Sequence, residues 1–337
     1  MKKIWIVYLL LIACFALYVL DFRAQQSRMN EQWRTGGLRG EIGEKYVMVT
    51  FQMGIDYWKS GLKGFEDAAQ ALNVSVEYRG STQRDVHEQI TVLEQVIAKK
   101  PAGIAISAIH PSLLTATINK AVDAGIPVVL FDSDAPGSKA YSFLGTDNYA
   151  AGVEAARKMA ELTGGQGEVA VVTTPNQQNH QERTNGFADT IAAEFPRIRI
   201  VDVKNGKGDQ LASRQAAEEI LRAHPGVGGI FATEANGGIG VAEAVRAAGG
   251  GSNAGSGPRI ISFDTDKGTL DLVKSGDIAA TMAQGTWNMG YWSLQFLFSL
   301  KHGLGGSSNP GAPRIPKQAD TGITVVTQQN VDDYYAK

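Results

Sequence analysis

The feature that most constrains the fold is a regular alternation of short, β-branched apolar segments with longer amphipathic segments, which begins at Lys45. The apolar segments are almost continuously hydrophobic, which is typical of parallel strands covered by helices on both faces of a sheet. The two halves of the chain repeat this pattern, because VMVTF, GIAIS and PVVLFD in the first half match VAVVTT, GGIFAT and RIISFD in the second. The sequence therefore predicts two similar open α/β domains.

Length and composition agree with this prediction. A chain of 337 residues with 43% hydrophobic and 20% charged residues has room for about two domains and is neither disordered nor a polytopic membrane protein. The formal net charge of -2 leaves no basic surplus for nucleic acid. Cys14 is the single cysteine and the five histidines are scattered, so we expect no disulfide within the chain, no metal site and no cofactor.

The N-terminus has the pattern of an export or anchoring signal. Two lysines precede the uncharged apolar segment Ile4 to Leu20, which predicts a signal peptide or membrane anchor over residues 1–22, a hydrophobic helix ahead of the globular part. Leu11 to Cys14 also resembles a lipobox, in which Cys14 would carry a lipid, but the apolar segment continues beyond it and favours an uncleaved anchor. Residues 23–44 are polar and predict a linker. We expect the rest of the chain on the outer side of the bacterial cell membrane, tethered to it.

Several polar and aromatic residues follow directly on predicted strands or begin the next helix. In parallel α/β sheets, ligands bind beyond the carboxyl ends of the strands, where such residues meet. Carboxylates and a guanidinium make charge-assisted hydrogen bonds to hydroxyl groups, and an aromatic ring covers an apolar C–H face. This chemistry suits a small polyhydroxylated ligand, and the candidate ligand-binding residues are Tyr57, Trp58, Asp132, Arg183, Glu234, Asp264 and Gln284.

Four motifs make the interpretation more specific: GIPVVLFD at 125–132, GTDN at 145–148, RTNGF at 183–187 and ATMAQ at 280–284. With these motifs in this order, the chain from about Lys45 onward resembles the ribose-type periplasmic sugar-binding proteins, which serve ABC importers. The resemblance implies the type I periplasmic binding protein fold, in which two doubly wound parallel-sheet lobes are joined by a three-segment hinge. It also implies a monomer that binds a small-molecule sugar and an ABC permease.

The resemblance implies the lobe boundaries and the roles of the candidate residues. The N-terminal lobe would comprise 45–146 and 285–322, and the C-terminal lobe 147–284 and 323–337. Two aromatic residues would enclose the sugar ring, two aspartates would accept hydrogen bonds from its hydroxyls, and an arginine and a hinge-side glutamine would complete the site. In this order, the residues are Tyr57 and Trp58, Asp132 and Asp264, Arg183 and Gln284.

Three positions depart from the ribose-binding pattern. Glu234 stands where an asparagine is expected, Ser133 where an arginine follows the first aspartate, and Phe51 where strand one ends in a serine. An ionised carboxylate can only accept hydrogen bonds. Asp132, Glu234 and Asp264 would then face Arg183 alone, which disfavours acidic sugars and favours a neutral sugar or polyol.

Each candidate residue also has a purely structural interpretation. The two aspartates could be helix N-caps, since aspartate is common there, and the two aromatic residues could belong to the core under the first helix. Arg183 could lie on a solvated helix surface, and Glu234 could pair with a surface base.

Among functions, a membrane-tethered sugar sensor that presents its closed form to a sensor kinase is the main alternative to transport. A repressor of the same fold would need an N-terminal helix-turn-helix, and a hydrophobic segment stands at that place instead. No general-acid environment for a glycosidase is evident, so we predict a binding protein and no enzyme.

Overall fold

The computed structural model describes residues 14–24, 37–175, 177–250, 257–304 and 315–335. The described strands are β1 (Lys45–Thr50), β2 (Ser75–Gly80), β3 (Gly103–Ile106), β4 (Val128–Phe131), β5 (Phe143–Gly145), β6 (Gly167–Thr173), β7 (Ile198–Asn205), β8 (Val227–Ala232), β9 (Arg259–Phe263), β10 (Ala280–Gln284), β11 (Gln318–Asp320) and β12 (Ile323–Val326). From residue 37 onward, the described α-helices are α1 (Tyr57–Leu72), α2 (Val86–Ala98), α3 (Pro111–Asp123), α4 (Asn148–Thr163), α5 (Gln178–Glu194), α6 (Gln210–Ala223), α7 (Ala235–Ala247), α8 (Lys267–Ser275) and α9 (Thr286–Lys301).

These elements form two six-stranded sheets. The first has the strand order β11-β5-β4-β3-β1-β2, and the second has the order β12-β10-β9-β8-β6-β7. All neighbouring strands are parallel except β12, which runs antiparallel to β10. The prediction of two α/β lobes with parallel sheets is therefore confirmed.

Each sheet has an apolar core on both faces, because successive strand residues point in opposite directions. In β1, Tyr46 and Met48 join the cluster that α1 and α9 cover, whereas Val47 and Val49 join the cluster under α2 and α3. The second sheet has the same plan, with one cluster that includes residues of α4 and α5 and another that includes residues of α6, α7 and α8. The loops beyond the strand ends are thus held on two rigid layered supports.

Glycines bring two pairs of helices unusually close. A Cβ on Gly290 of α9 would lie 1.8 Å from the carbonyl oxygen of Gly61 in α1. A Cβ on Gly152 of α4 would lie 2.1 Å from the carbonyl oxygen of Arg183 in α5. Both contacts require glycine, and the second fixes the helix that carries a candidate ligand-binding arginine.

The described chain passes from one sheet to the other three times, at Thr146–Asp147, at Gly285 and at Thr321–Gly322. The three segments lie side by side: the Gly285 amide donates to the carbonyl of Gly322 at 3.1 Å, and the Thr321 amide donates to the carbonyl of Gly145 at 3.0 Å. The Asp147 amide donates to Asp320 Oδ1 at 3.1 Å. These three short segments are where one lobe could rotate relative to the other.

The N-terminal predictions fall largely outside the described residues, which omit 1–13 and 25–36. Residues 14–24 are helical, and Cys14 is exposed. Among the residues that the structure describes, no helix has the length and apolarity needed to cross a membrane. Residues 37–44 run across the first lobe, where the Gly40 amide donates to the carbonyl of Leu72 at 2.8 Å.

Candidate ligand-binding cleft

The two candidate aspartates occupy equivalent places in the two sheets. Asp132 follows Phe131 at the end of β4, and Asp264 follows Phe263 at the end of β9. Both have left-handed backbones, with φ of 61° and 68°, which is uncommon for residues other than glycine. Neither caps a helix, since Asp266 is the residue that caps α8, so the N-cap interpretation is wrong. The shared strain indicates that both positions are built for something other than local stability.

A chain of hydrogen bonds links these two carboxylates across the lobes. The Tyr57 hydroxyl donates to Asp132 Oδ1 and accepts from Gln284 Nε2 at 3.2 Å. The same amide nitrogen donates to Asp264 Oδ1 at 2.6 Å. Four of the seven candidate residues therefore meet at one place between the sheets.

Ser133 supplies a neutral hydroxyl donor to Asp132, the residue before it. Its hydroxyl donates to Asp132 Oδ2 at 3.1 Å, and the Ser107 hydroxyl donates to the same oxygen at 3.0 Å. Neutral donors thus stand where the ribose-binding pattern has a cation. Asp132 Oδ2 therefore accepts hydrogen bonds from two neutral hydroxyl groups.

Arg183 is buried, with 3% of its surface exposed, so its interpretation as a solvated helix residue is wrong. Its guanidinium donates to Asn148 Oδ1 at 2.9 Å, to the carbonyl of Thr233 at 2.8 Å and to Gln284 Oε1 at 3.2 Å. The guanidinium carbon lies 3.6 Å from the centroid of the Phe263 ring. Burial lowers the pKa of Arg183, and the nearby carboxylates, Asp264 first, act in the opposite direction.

Trp58 belongs to the core of the first lobe, and 4% of its surface is exposed. Its indole nitrogen donates to the carbonyl of Phe51 at 2.8 Å. The ring meets those of Tyr57, Phe51 and Phe131 edge-on, with centroids 4.8, 5.3 and 5.9 Å away. Trp58 therefore packs behind Tyr57 in the core of the first lobe. The predicted contact of Trp58 with a sugar ring stays a prediction.

Glu234 faces the other acidic groups of the cleft. Burial raises the pKa of Glu234 to about 7, the charge of Asp264 adds to this, and the Gly237 amide, Arg84 and Arg183 oppose it. Burial likewise raises the pKa of Asp264 to about 6, against the opposing effects of Arg183 and Gln284. No ion pair joins Glu234 to a surface base within the described ranges. At neutral pH Glu234 is therefore only partly ionised, and its protonated form can donate as well as accept a hydrogen bond.

The raised pKa of Glu234 predicts a pH-dependent stability. Because the folded protein takes up this proton near pH 7 and the unfolded chain near 4.5, the free energy of unfolding should rise as the pH falls. Between pH 8 and 6.5 we expect Glu234 to contribute a gain of about 0.8 kcal/mol, measured by urea denaturation as the difference between the wild type and Glu234→Gln. The buried His180, whose pKa is lowered to about 3, opposes this gain from about pH 7.5 downward, because the unfolded chain takes up that proton near pH 6.5, and it does so equally in both proteins.

The control for this prediction is a difference between variants. Glu234→Gln should lose the gain, whereas Glu66→Gln, a change on the exposed face of α1, should keep it. A Glu234→Gln profile parallel to that of the wild type over this range would contradict the prediction.

The structure adds residues that the sequence interpretation missed. Arg84, in the loop after β2, places its guanidinium 5.7 Å from the Phe51 ring, and its charge acts on Glu234 and His180 of the other lobe. His180 Nδ1 lies 2.9 Å from the Thr233 hydroxyl. Asn148, which accepts a hydrogen bond from Arg183, belongs to the GTDN motif, so the sequence could have indicated its role. The sequence gives no such indication for Arg84, because a polar loop does not show which residues of the other lobe it will face.

No metal centre is evident among the residues described: no three histidine, cysteine, aspartate or glutamate side chains are grouped closely enough to hold an ion. The clustered carboxylates Asp132 and Asp264 instead accept hydrogen bonds from hydroxyl and amide donors. The arrangement can hold a neutral ligand that offers several hydroxyl hydrogens to fixed acceptors.

Comparison with known proteins places this geometry in a family. A family model described as a periplasmic binding protein domain matches residues 46–304. The structure of AraP, an arabinose binding protein from Geobacillus stearothermophilus, is 67% identical and has a TM-score of 0.82, with 87% of this chain and 99% of that chain covered. The D-allose-binding periplasmic protein of Escherichia coli is 25% identical over 265 residues, which cover 75% of this chain and 83% of that protein.

A further solved structure, described as a XylFII-LytSN complex, is 27% identical with a TM-score of 0.71, and the match covers 85% of this chain and 98% of that one. The family match extends over well more than half of the chain, and the relatives just described include proteins named for the sugars they bind. The chain therefore belongs to the periplasmic binding protein domain family and is one of its sugar-binding members.

Proposed function

We propose that this chain captures a neutral pentose, with arabinose as the first candidate, between its two lobes on the outer side of the membrane. The observation that carries this proposal is the hydrogen-bonded group of Tyr57, Asp132, Asp264 and Gln284, with Arg183 beside it. These side chains offer fixed acceptors and one cation, which match a ring of hydroxyl groups. The 67% identity to an arabinose binding protein supports the choice of sugar.

In the main form of the proposal, the protein delivers its sugar to an ABC importer and leaves it chemically unchanged. The named relatives are binding proteins, which supports binding without turnover. The lobes would comprise 45–146 with 285–322 and 147–284 with 323–337, and the three crossings would form the hinge. Sugar contacts from both lobes would stabilise the closed form.

A second candidate function is sugar sensing by a membrane-tethered protein. The similarity to a chain of the XylFII-LytSN complex favours it, because that chain was solved in a complex with a second component. An uncleaved anchor over residues 1–22, or a lipid on Cys14, would suit a sensor that has no need to diffuse. Both forms of the proposal share the same sugar site and differ in the partner that recognises the closed lobes.

The test is calorimetric titration with a panel of neutral sugars and sugar acids. We expect arabinose to bind most tightly, other neutral pentoses and hexoses more weakly, and galacturonic or arabinonic acid not at all. Acid sugars would bring a negative charge against Asp132, Glu234 and Asp264 in a partly dry cleft. Glu234→Gln should change the order of affinity of the neutral sugars and leave the melting temperature nearly unchanged. Tight binding of a sugar acid would refute the charge argument.

Closure of the lobes is tested by small-angle X-ray scattering with and without saturating arabinose. If the sugar joins the lobes, the radius of gyration should fall and the profile should change when it binds. Arg183→Ala provides the matched control: at an arabinose concentration that saturates the wild type but lies well below the Kd of the variant, it should give the same profile with and without the sugar. Identical profiles for the wild-type protein, under conditions where calorimetry shows binding, would exclude hinge closure.

A further inference from the structure

Helix α9 carries four aromatic side chains in contact with one another, of which two are exposed and two are half-buried against the core of the first lobe. We call Trp287, Tyr291, Trp292 and Phe296 the aromatic stripe. Their ring centroids follow one another at 4.7, 5.6 and 6.5 Å, so the four rings form one continuous surface. Trp287 and Trp292 are 38% and 48% exposed. Tyr291 and Phe296 pack against the core cluster of the first lobe, so the exposed part of the stripe consists mainly of Trp287 and Trp292.

The corresponding helix of the other lobe shows that packing does not require this stripe. Helix α4 also follows a crossing between the lobes and is also packed against its neighbour through a glycine, Gly152. Its outer side instead carries ion pairs: Arg157 bonds to Glu154 at 3.0 Å, and Lys158 bonds to Glu161 at 2.7 Å. That is an ordinary solvated helix surface. The exposed surfaces of Trp287 and Trp292 therefore give α9 an apolar outer patch that α4 lacks.

The path of the N-terminal segment indicates what lies next to the stripe. Residues 37–44 run across the C-terminal ends of α1 and α9, where His302 Nε2 lies 2.9 Å from Glu44 Oε2. The segment toward the predicted anchor thus leaves the lobe beside the helix that carries the stripe. Residues 25–36 can span at most about 40 Å even when fully extended, and α9 with its 16 residues is about 24 Å long. A membrane anchor over residues 1–22 would therefore allow this face of the lobe to reach the bilayer.

We propose that the aromatic stripe docks on the interfacial zone of the membrane that holds the N-terminal anchor, an inference that rests on the proposed tether. Tryptophan and tyrosine are the residues that concentrate at this zone, because one part of each ring system is apolar and another forms hydrogen bonds. The indole of Trp287 already donates to Asp67 Oδ2 at 3.0 Å, which leaves its apolar edge for lipid. Docking would hold the first lobe still while the second closes over the sugar.

The experiment uses nitroxide labels on the full chain in vesicles of phosphatidylcholine and phosphatidylglycerol. One label is placed on native Cys14 and reports the anchor. In a Cys14→Ser background, a second is placed through Trp292→Cys on the stripe. A third, through Ser299→Cys, is on the same side of α9 and leaves all four rings in place. A control label through Tyr149→Cys lies on α4, where the native side chain is 44% exposed.

Collisions with oxygen and with a water-soluble nickel complex distinguish lipid from water. We expect a several-fold higher oxygen-to-nickel collision ratio at positions 14, 292 and 299 than at position 149. A lipid environment at position 14 with an aqueous one at both 292 and 299 would overturn docking and leave the tether intact. Dipolar broadening at 292 that disappears on dilution with unlabelled chain would show a second copy on the stripe and also overturn it. An aqueous position 14 would remove the tether, and docking with it, without touching the sugar site.

Discussion

Replacing Arg183 with alanine is expected to weaken arabinose binding by a factor of about 100 to 1000, the equivalent of about 3–4 kcal/mol. The side chain is buried and donates to Asn148, Thr233 and Gln284. Without it, these acceptors lose their donor, and the carboxylates of the cleft lose the cation beside them. Isothermal titration calorimetry measures the change directly.

Two further variants make the Arg183 prediction specific. Arg183→Lys keeps the charge but not the planar fork of donors, so we expect an intermediate loss. Arg157→Ala removes an arginine of the same lobe that is 49% exposed and forms surface ion pairs, and it should leave affinity unchanged. Arg183→Ala with a wild-type melting temperature and an affinity within threefold of the wild type would show that the arginine lies outside the sugar site.

Replacing Trp58 with alanine is expected to lower the free energy of unfolding by about 3–5 kcal/mol. The indole fills the space between α1 and the first sheet, where it meets three other rings and donates to the Phe51 carbonyl. Its removal would leave a cavity beside Tyr57, which helps to link the lobes. Urea denaturation followed by circular dichroism gives the change in stability.

The matched control for Trp58 is a tryptophan of the same lobe on its surface. Trp292→Ala should change the free energy of unfolding of the full chain by less than about 0.5 kcal/mol, because its ring is 48% exposed. Equal denaturation midpoints for Trp58→Ala and the wild type would contradict the packing role. If Trp58→Phe keeps the stability but weakens sugar binding, the predicted contact with the sugar ring gains support.

Much of the fold could be predicted because its strands are buried on both faces and are therefore continuously apolar. The apolar segments PVVLFD and RIISFD each continue one residue beyond the end of the observed strand, since Asp132 and Asp264 leave the strand with a left-handed backbone. The strands β11 and β12 were not predicted, because QAD and ITVV are short and the first has little apolar character. Their pairing depends on partners far away in sequence.

The candidate site was predictable in its residue types but less so in its contacts. Asp132 and Asp264 stand out because two matched strands end in the same Phe-Asp pair. In contrast, a sequence pattern cannot separate a ring that lines a cleft from one that supports it, as with Trp58. The influence of Arg84 on Glu234 depends on how one lobe approaches the other, which local sequence does not encode.

The strand order of the first sheet also determines when this protein can fold during synthesis. Its edge strand β11 pairs with β5, and almost the whole second sheet is synthesised between the two. Helix α9, which covers one apolar face of the first sheet, is likewise made after β10. Contacts between such distant segments form slowly and leave apolar surface exposed to aggregation or chaperones in the meantime. A nascent chain that ends before Thr286 would carry all seven candidate ligand-binding residues and no complete first lobe to hold them.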